Sequence, residues 1–224
     1  MRTKKQADRF TNGMALISEA LILLQEAERG NVATPIGPYS NGYFALRALI
    51  RDRTDPSDEQ QLQGAAYAVY GWMPTILKNA DNLLPLSKFV VNLRDVSVVD
   101  ARVIVSRVPV HELASLLFSV NKSVVGTSKL LHFLLPNLFP IWDSRIARLF
   151  GFRHASHNTA PAYLSYFELL HRWLDTDDSI PLELYAKMQM GAPEHDPLSR
   201  LRIIEYALFL SSVSRFGGDA SESE

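Results

Sequence analysis

Apolar side chains recur every three to four residues along most of this chain, and glycine and proline cut the recurrences into segments. That period matches a helix face, not the alternation of a strand, so the sequence predicts an all-α protein. Leu16, Ile17, Ala20, Leu21, Leu23 and Leu24 form one broad stripe over 14–28, stopped by Gly30. Residues 31–42 read as a loop punctuated by Pro35, Gly37, Pro38 and Gly42. A helix over 43–51 ends at the turn Arg53-Thr54-Asp55-Pro56, and Ser57 with Gln60 reads as a capping box opening a helix that runs to Trp72. Short helices are expected over 74–78 and 85–93. The β-branched stretch 96–108 lacks a partner strand with turn signals, which leaves helix. Further helices are expected over 110–120, over 128–135 up to Pro136, and over 143–150 up to Gly151. Thr159 caps a helix over 160–174 with Pro161 in its first turn, and the last two helices fall at 181–190 and 197–216. The small, acidic stretch 217–224 reads as a disordered tail.

Apolar residues make up 47% and charged residues 21%, enough core for one large domain or two lobes without a metal or disulfide staple. Cysteine is absent, which excludes disulfides, thiol nucleophiles, cysteine-ligated zinc and iron–sulfur clusters. No apolar run is long enough to span a bilayer. The basic start Met1-Arg2-Thr3-Lys4-Lys5 continues into polar Gln6-Ala7-Asp8-Arg9, not into a secretory apolar stretch. A cytoplasmic, bacterial-type protein is expected, with no membrane partner and no cofactor. The net charge of −1 is unlike a nucleic-acid coat protein, although an enzyme that grips DNA needs only one basic face.

Residues 120–153 depart from that balance. Lys122, Lys129, Arg145, Arg148 and Arg153 are basic there and Asp143 is the sole acid. Within it, a turn containing Gly126 is expected between two helices, offering backbone N–H groups at a helix N-terminus to an anion such as phosphate. Lys122 and Lys129 flank that turn, and Thr127 and Ser128 either cap the helix or bond a phosphate oxygen. Arg145 and Arg148, three apart, share a helix face.

The run Pro140-Ile141-Trp142-Asp143-Ser144-Arg145-Ile146-Ala147-Arg148-Leu149-Phe150-Gly151, preceded by Val125-Gly126-Thr127-Ser128-Lys129, resembles the helix-hairpin-helix DNA glycosylase superfamily over about thirty residues. The resemblance implies two helical lobes with a helix-hairpin-helix unit near their junction. Residues 30–135 would form a barrel-like lobe including the hairpin, and 1–29 with 136–216 the other. It implies a monomeric enzyme that binds DNA, flips a modified base into the cleft and hydrolyses its N-glycosidic bond. Asp143 would be the catalytic carboxylate, and Lys122, Gly126, Thr127, Ser128, Arg145 and Arg148 would hold phosphates. The base is open between a hypermodified phage base such as glucosylated hydroxymethylcytosine, removed in phage defence, and a damaged base removed in repair.

Each residue also has a plainer reading. Asp143 at a helix start is a helix cap, and the two roles are compatible, because capping N–H groups hold a carboxylate ionised. Lys129 is a surface lysine, a phosphate contact, or the amine that attacks C1′ in bifunctional relatives. Asp143 follows Lys129 by fourteen positions, shorter than the bifunctional pattern, so monofunctional hydrolysis by water is expected. Tyr39, Ser40, Asn41 and Tyr43 form either an ordinary loop or a wall of a base pocket, and Trp142 is either core or part of that pocket. His154 and His157 have a metal-like spacing without completing ligands, so no metal is expected. His111, His132, His171 and His195 show no constellation, and Arg200 and Arg202 with Glu205 read as solvated ion pairs. Two other functions compete: a non-catalytic helix-hairpin-helix DNA-binding module, and a helical protein-interaction domain.

Overall fold

Side chains at the helix ends fix where most elements of this chain begin. A computed structural model describes residues 4–30, 38–73, 75–80, 83–94, 108–152, 154–176, 180–190, 192 and 197–216; for 4–11, 38–41, 154–155, 176 and 189–190 it describes the backbone alone. Among the described residues there are helices, turns and irregular chain, and no strand. The helices are α1 (Lys4–Glu28), α2 (Pro38–Arg53), α3 (Glu59–Trp72), α4 (Leu84–Leu93), α5 (Val110–Leu116), α6 (Val124–Leu134), α7 (Ser144–Leu149), α8 (His154–His157), α9 (Ala160–Thr176), α10 (Leu182–Met190) and α11 (Arg200–Phe216). The all-α expectation therefore holds. The expected helix over 96–107 and the expected tail 217–224 lie outside the described residues.

Several boundaries move for identifiable reasons. α2 begins at Pro38, inside the expected loop, because proline suits a first helical turn, where its missing N–H costs nothing. α3 is capped by Asp58, whose carboxylate accepts from the N–H groups of Gln60 and Gln61; Ser57 instead donates its own N–H to Asp55. Residues 75–80 are irregular, not helical. Asn121 holds them there: its Oδ1 accepts from the N–H groups of Lys78 and Asn79 at 2.7 and 2.8 Å, and its Nδ2 donates to the Ile76 carbonyl at 3.0 Å. A side chain that supplies three backbone bonds gives the segment an alternative to helical ones.

The turn between α5 and α6 is also built differently from the sequence expectation. The chain reverses at Asn121 and Lys122, both at φ 52°, a left-handed conformation that asparagine tolerates better than lysine. Gly126 lies within the first turn of α6, and Ser123 caps that helix by accepting the Gly126 N–H. The glycine is needed for close approach to α3: an ideal Cβ on Gly126 would fall on the Tyr70 hydroxyl and within 2.8 Å of its Cζ.

Buried apolar side chains from Ile17 in α1 to Leu210 in α11 form one continuous cluster. α1 packs along α11, and α6 packs against α2 and α3. Trp142, Trp173, Phe139 and Phe167 are among its largest fully buried members. No helix among the described residues is long and apolar enough to cross a membrane.

Gly126→Ala is expected to destabilise the protein by about 1–3 kcal/mol, because Tyr70 is buried and cannot swing aside. Tyr70→Phe in the same chain should recover part of that loss. Urea denaturation midpoints of the single and double variants measure both effects, and an unchanged Gly126→Ala midpoint would refute the close-approach reading.

Candidate functional site around Asp143

Between α6 and α7 the chain crosses the interior without forming a helix, so its backbone polar groups must find other partners. Side chains provide them nearly residue by residue. Ser199 donates to the Pro136 carbonyl at 3.3 Å, His171 Nε2 to Leu138 at 2.8 Å, His132 Nδ1 to Phe139 at 2.8 Å, and Tyr163 to Pro140 at 3.3 Å. The Ile141 N–H donates to Glu205 Oε2 at 2.8 Å, and the Trp142 N–H to Ser128 Oγ at 3.2 Å. The Trp142 indole N–H donates to the His157 carbonyl at 2.9 Å. This strip ends at Asp143.

Asp143 is half-buried and caps α7, its Oδ1 accepting the Ile146 N–H at 2.8 Å. Its Oδ2 has no hydrogen-bond partner among the described residues. The carboxylate is thus held by one oxygen. The Ser128–Trp142 bond joins the second turn of α6 to the end of the strip, which puts Lys129 and Asp143, each one residue further on, on adjoining segments. Lys129 is half-buried. Arg145 and Arg148 are exposed on α7, with guanidinium carbons 5.7 Å from the Phe209 ring centroid and 4.3 Å from that of Phe216. Lys122 is exposed at the left-handed turn.

The expected phosphate cradle at the start of α6 is occupied by the protein's own groups. The Val124 N–H donates to Asn158 Oδ1 at 2.8 Å, the Gly126 N–H to Ser123 Oγ and the Thr127 N–H to the Ser123 carbonyl. Thr127 and Ser128 are fully buried. Thr127 Oγ1 accepts the Val120 N–H, and Ser128 Oγ donates to Val125 while accepting from Trp142. Gly126, Thr127 and Ser128 therefore serve the interior, and among the described residues of the basic segment the exposed cations are Lys122, Arg145 and Arg148.

Two expected pocket residues also belong to the core. Trp142 is fully buried against Tyr166, with ring centroids 4.9 Å apart. Tyr43 is buried and its hydroxyl lies 2.8 Å from His132 Nε2. Because the Phe139 carbonyl can only accept, His132 carries its proton on Nδ1, so Nε2 accepts from the Tyr43 hydroxyl. The side chains of Tyr39, Ser40 and Asn41 lie outside the described residues.

The structure gives partners to residues that the sequence left unconnected. Arg202 and Glu205, read as a solvated pair, form a buried one: the Arg202 guanidinium bonds Glu205 Oε1 and lies over the Tyr43 ring at 4.3 Å. Burial pushes the Glu205 carboxyl up to about 7, against the pull of Arg202 and the Ile141 N–H. His132 falls well below its usual range because burial and the neighbouring Arg202 disfavour a second proton. His171 falls to about 4 through burial. The available signal was the company these residues keep: Arg202 and Glu205 are flanked by Leu201, Ile203, Ile204, Ala207 and Leu208, all buried.

The chain belongs to a family of unknown function, DUF6308, whose model matches residues 78–209. That span takes in Asn121, the whole strip, Asp143 and the Arg202–Glu205 pair. No curated protein and no solved structure matches the chain.

The strip makes stability sensitive to acid at a definite place. His171 donates through Nε2, so a second proton must go to Nδ1, which is buried without a partner among the described residues. Its depressed value means that its contribution is fully present above about pH 6.5, declines as pH falls, and is gone below about 4. The full effect is about 3 kcal/mol. Urea unfolding of the native protein and His171→Gln between pH 7 and 4 should converge by roughly that amount. Parallel pH profiles would contradict a histidine buried as the neutral form.

Proposed function

We propose that this protein is a DNA glycosylase that hydrolyses the N-glycosidic bond of a flipped, modified base, with Asp143 as the catalytic carboxylate. The observation that carries the reading is the state of Asp143: one oxygen caps α7 and the other has no partner among the described residues, at the end of a strip held by buried side chains. A carboxylate fixed in this way needs little reorganisation to stabilise positive charge developing on a sugar. The resemblance of residues 125–151 to the helix-hairpin-helix glycosylases supplies the reaction class.

In this reading the base–sugar bond lengthens, C1′ gains oxocarbenium character opposite the Asp143 carboxylate, and water adds to C1′. The base departs with the electron pair of the broken bond and takes up a proton. Lys122, Arg145 and Arg148 contact phosphates, a role left to them because the α6 N-terminus is filled from within. Lys129 is a phosphate contact, and no covalent adduct forms on it. The base is either a hypermodified phage base, such as glucosylated hydroxymethylcytosine, or a damaged one.

Asp143→Asn tests this directly. The amide caps a helix nearly as well as the carboxylate, so stability should change by about 1 kcal/mol or less. Excision should fall by about a hundredfold or more. The measurement is alkaline cleavage at abasic sites in duplexes carrying different modified bases. Wild-type excision by Asp143→Asn would reduce Asp143 to a cap. Failure of the native protein to excise from any such duplex, while still binding DNA, would favour a non-catalytic DNA-binding module.

DNA binding itself should weaken steeply as salt rises. Lys122→Glu with Arg148→Glu should reduce affinity on every sequence and lower the salt slope by about two. Filter binding between low and physiological salt measures it. A slope indifferent to both changes would place the contact surface elsewhere.

A further inference from the structure

A second feature is independent of Asp143. The C-terminal parts of α2, α4 and α6 converge on a cleft of about 170 Å³ lined by Arg47, Arg51 and Arg94, with Ile50, Phe133 and Pro136 among its apolar walls. Among the described residues, no acidic one lines it. Helix C-termini carry partial negative charge, which accounts for a cation in a last turn. That explains Arg51 and Arg94, at the ends of α2 and α4. Arg47 lies well before the end of α2 and is buried, with Nη2 donating to the Pro197 carbonyl at 3.2 Å and the guanidinium hydrogen-bonded to Tyr43.

Arg47 and Arg51 are four residues apart on one helix face, an arrangement in which like charges repel. Arg94 adds a third guanidinium from α4. Arg51 pairs with Asp52 at 2.8 Å and Arg94 approaches Asp55 at 3.9 Å, but all four groups are well exposed. Exposed pairs of this kind contribute little, so a stronger acceptor can exchange for either aspartate.

We propose that this cleft binds the phosphoryl group of a small phosphomonoester carrying a compact apolar moiety. Guanidinium groups are planar forks suited to oxyanions, and the two exposed ones, with the buried charge of Arg47 behind them, suit a dianionic phosphoryl group better than a singly charged carboxylate. The cleft has room for the phosphoryl head and a small ring against Leu134 and Pro136, which are half-buried. Arg47, held from within, would supply fixed positive charge behind the wall, and Arg51 and Arg94 would be the recruited donors. The proposal goes beyond the glycosylase reading and does not depend on it.

The test is calorimetric titration of the full chain in phosphate-free, low-salt buffer with phenyl phosphate, inorganic phosphate and benzoate. Phenyl phosphate should bind saturably with a Kd of about 1 mM or tighter, and more tightly than either other probe. Arg51→Gln and Arg94→Gln are surface changes that leave Arg47 and the core in place, and each should weaken phenyl phosphate about tenfold. Arg172→Gln, an exposed change on α9 outside the cleft lining, should leave it unchanged. The site is overturned by absence of saturation up to about 10 mM, or by equal binding in the two arginine variants. Benzoate binding as tightly as phenyl phosphate overturns the phosphoryl assignment, and inorganic phosphate doing so overturns the role of the apolar wall. A duplex bearing a 5′-phosphate should displace phenyl phosphate no better than the same duplex without it. Displacement that needs the terminal phosphate would assign the cleft to nucleic-acid ends and overturn the small-molecule reading.

Discussion

Eight residues of irregular chain, 136–143, run through the middle of an all-helical protein, and much of the molecule is arranged to satisfy them. Buried N–H and carbonyl groups left without partners cost roughly 1–3 kcal/mol each. The strip has no neighbouring strand to share them with, so six side chains from α6, α9 and the start and body of α11 each bond one of its peptide groups: Ser128, His132, Tyr163, His171, Ser199 and Glu205. These bonds tie α6, α9 and α11 to one another through the strip. They also fix the position at which it leaves the interior, which is Asp143.

The most demanding of these partners is Glu205. A buried carboxylate needs a counter-charge, and Arg202 provides it from one turn earlier on the same helix while its guanidinium rests on Tyr43. Tyr43 in turn donates to His132, whose other nitrogen bonds the Phe139 carbonyl. A closed set of contacts therefore runs from α2 through α6 to the strip and back to α11. Satisfied networks of this kind favour one arrangement because any other strands a buried polar group. This gives Asp143, which caps α7 through Oδ1, a rigid base.

The elements themselves were largely legible. Periodicity gave an all-α fold, and α3, α4, α9 and α11 lie close to where stripes and stops put them, whereas α1 begins at Lys4, well before the stripe at 14–28. Errors came where a side chain reached beyond its own segment. Asn121 converts residues 75–78 of the helix expected over 74–78 to irregular chain across more than forty positions of sequence, a bond no local pattern encodes. Gly126 read as a turn residue because glycine usually marks one; here it makes room for Tyr70, while Asn121 and Lys122 take the left-handed conformations. At the site, Asp143 as a cap and Arg145 and Arg148 as surface cations were readable from the residues. Thr127, Ser128, Tyr43 and Trp142 were not, since a hydroxyl or an indole is equally at home in a pocket and in a core.

By itself the sequence determined the helical class, the lack of any cysteine chemistry, the basic stretch around a single carboxylate, and the cap at Asp143, because each follows from residue types and short spacings. Tertiary structure decided which polar groups face water. Arg202 and Glu205 have the spacing of an ordinary surface ion pair, and His132 and His171 stand apart from any motif; only packing across α2, α6, α9 and α11 sends them inward to the strip. The difference is physical. Helix formation depends on neighbours within a turn, whereas the partner of a buried charge or a bare peptide group is set by whichever segment the folded chain brings against it.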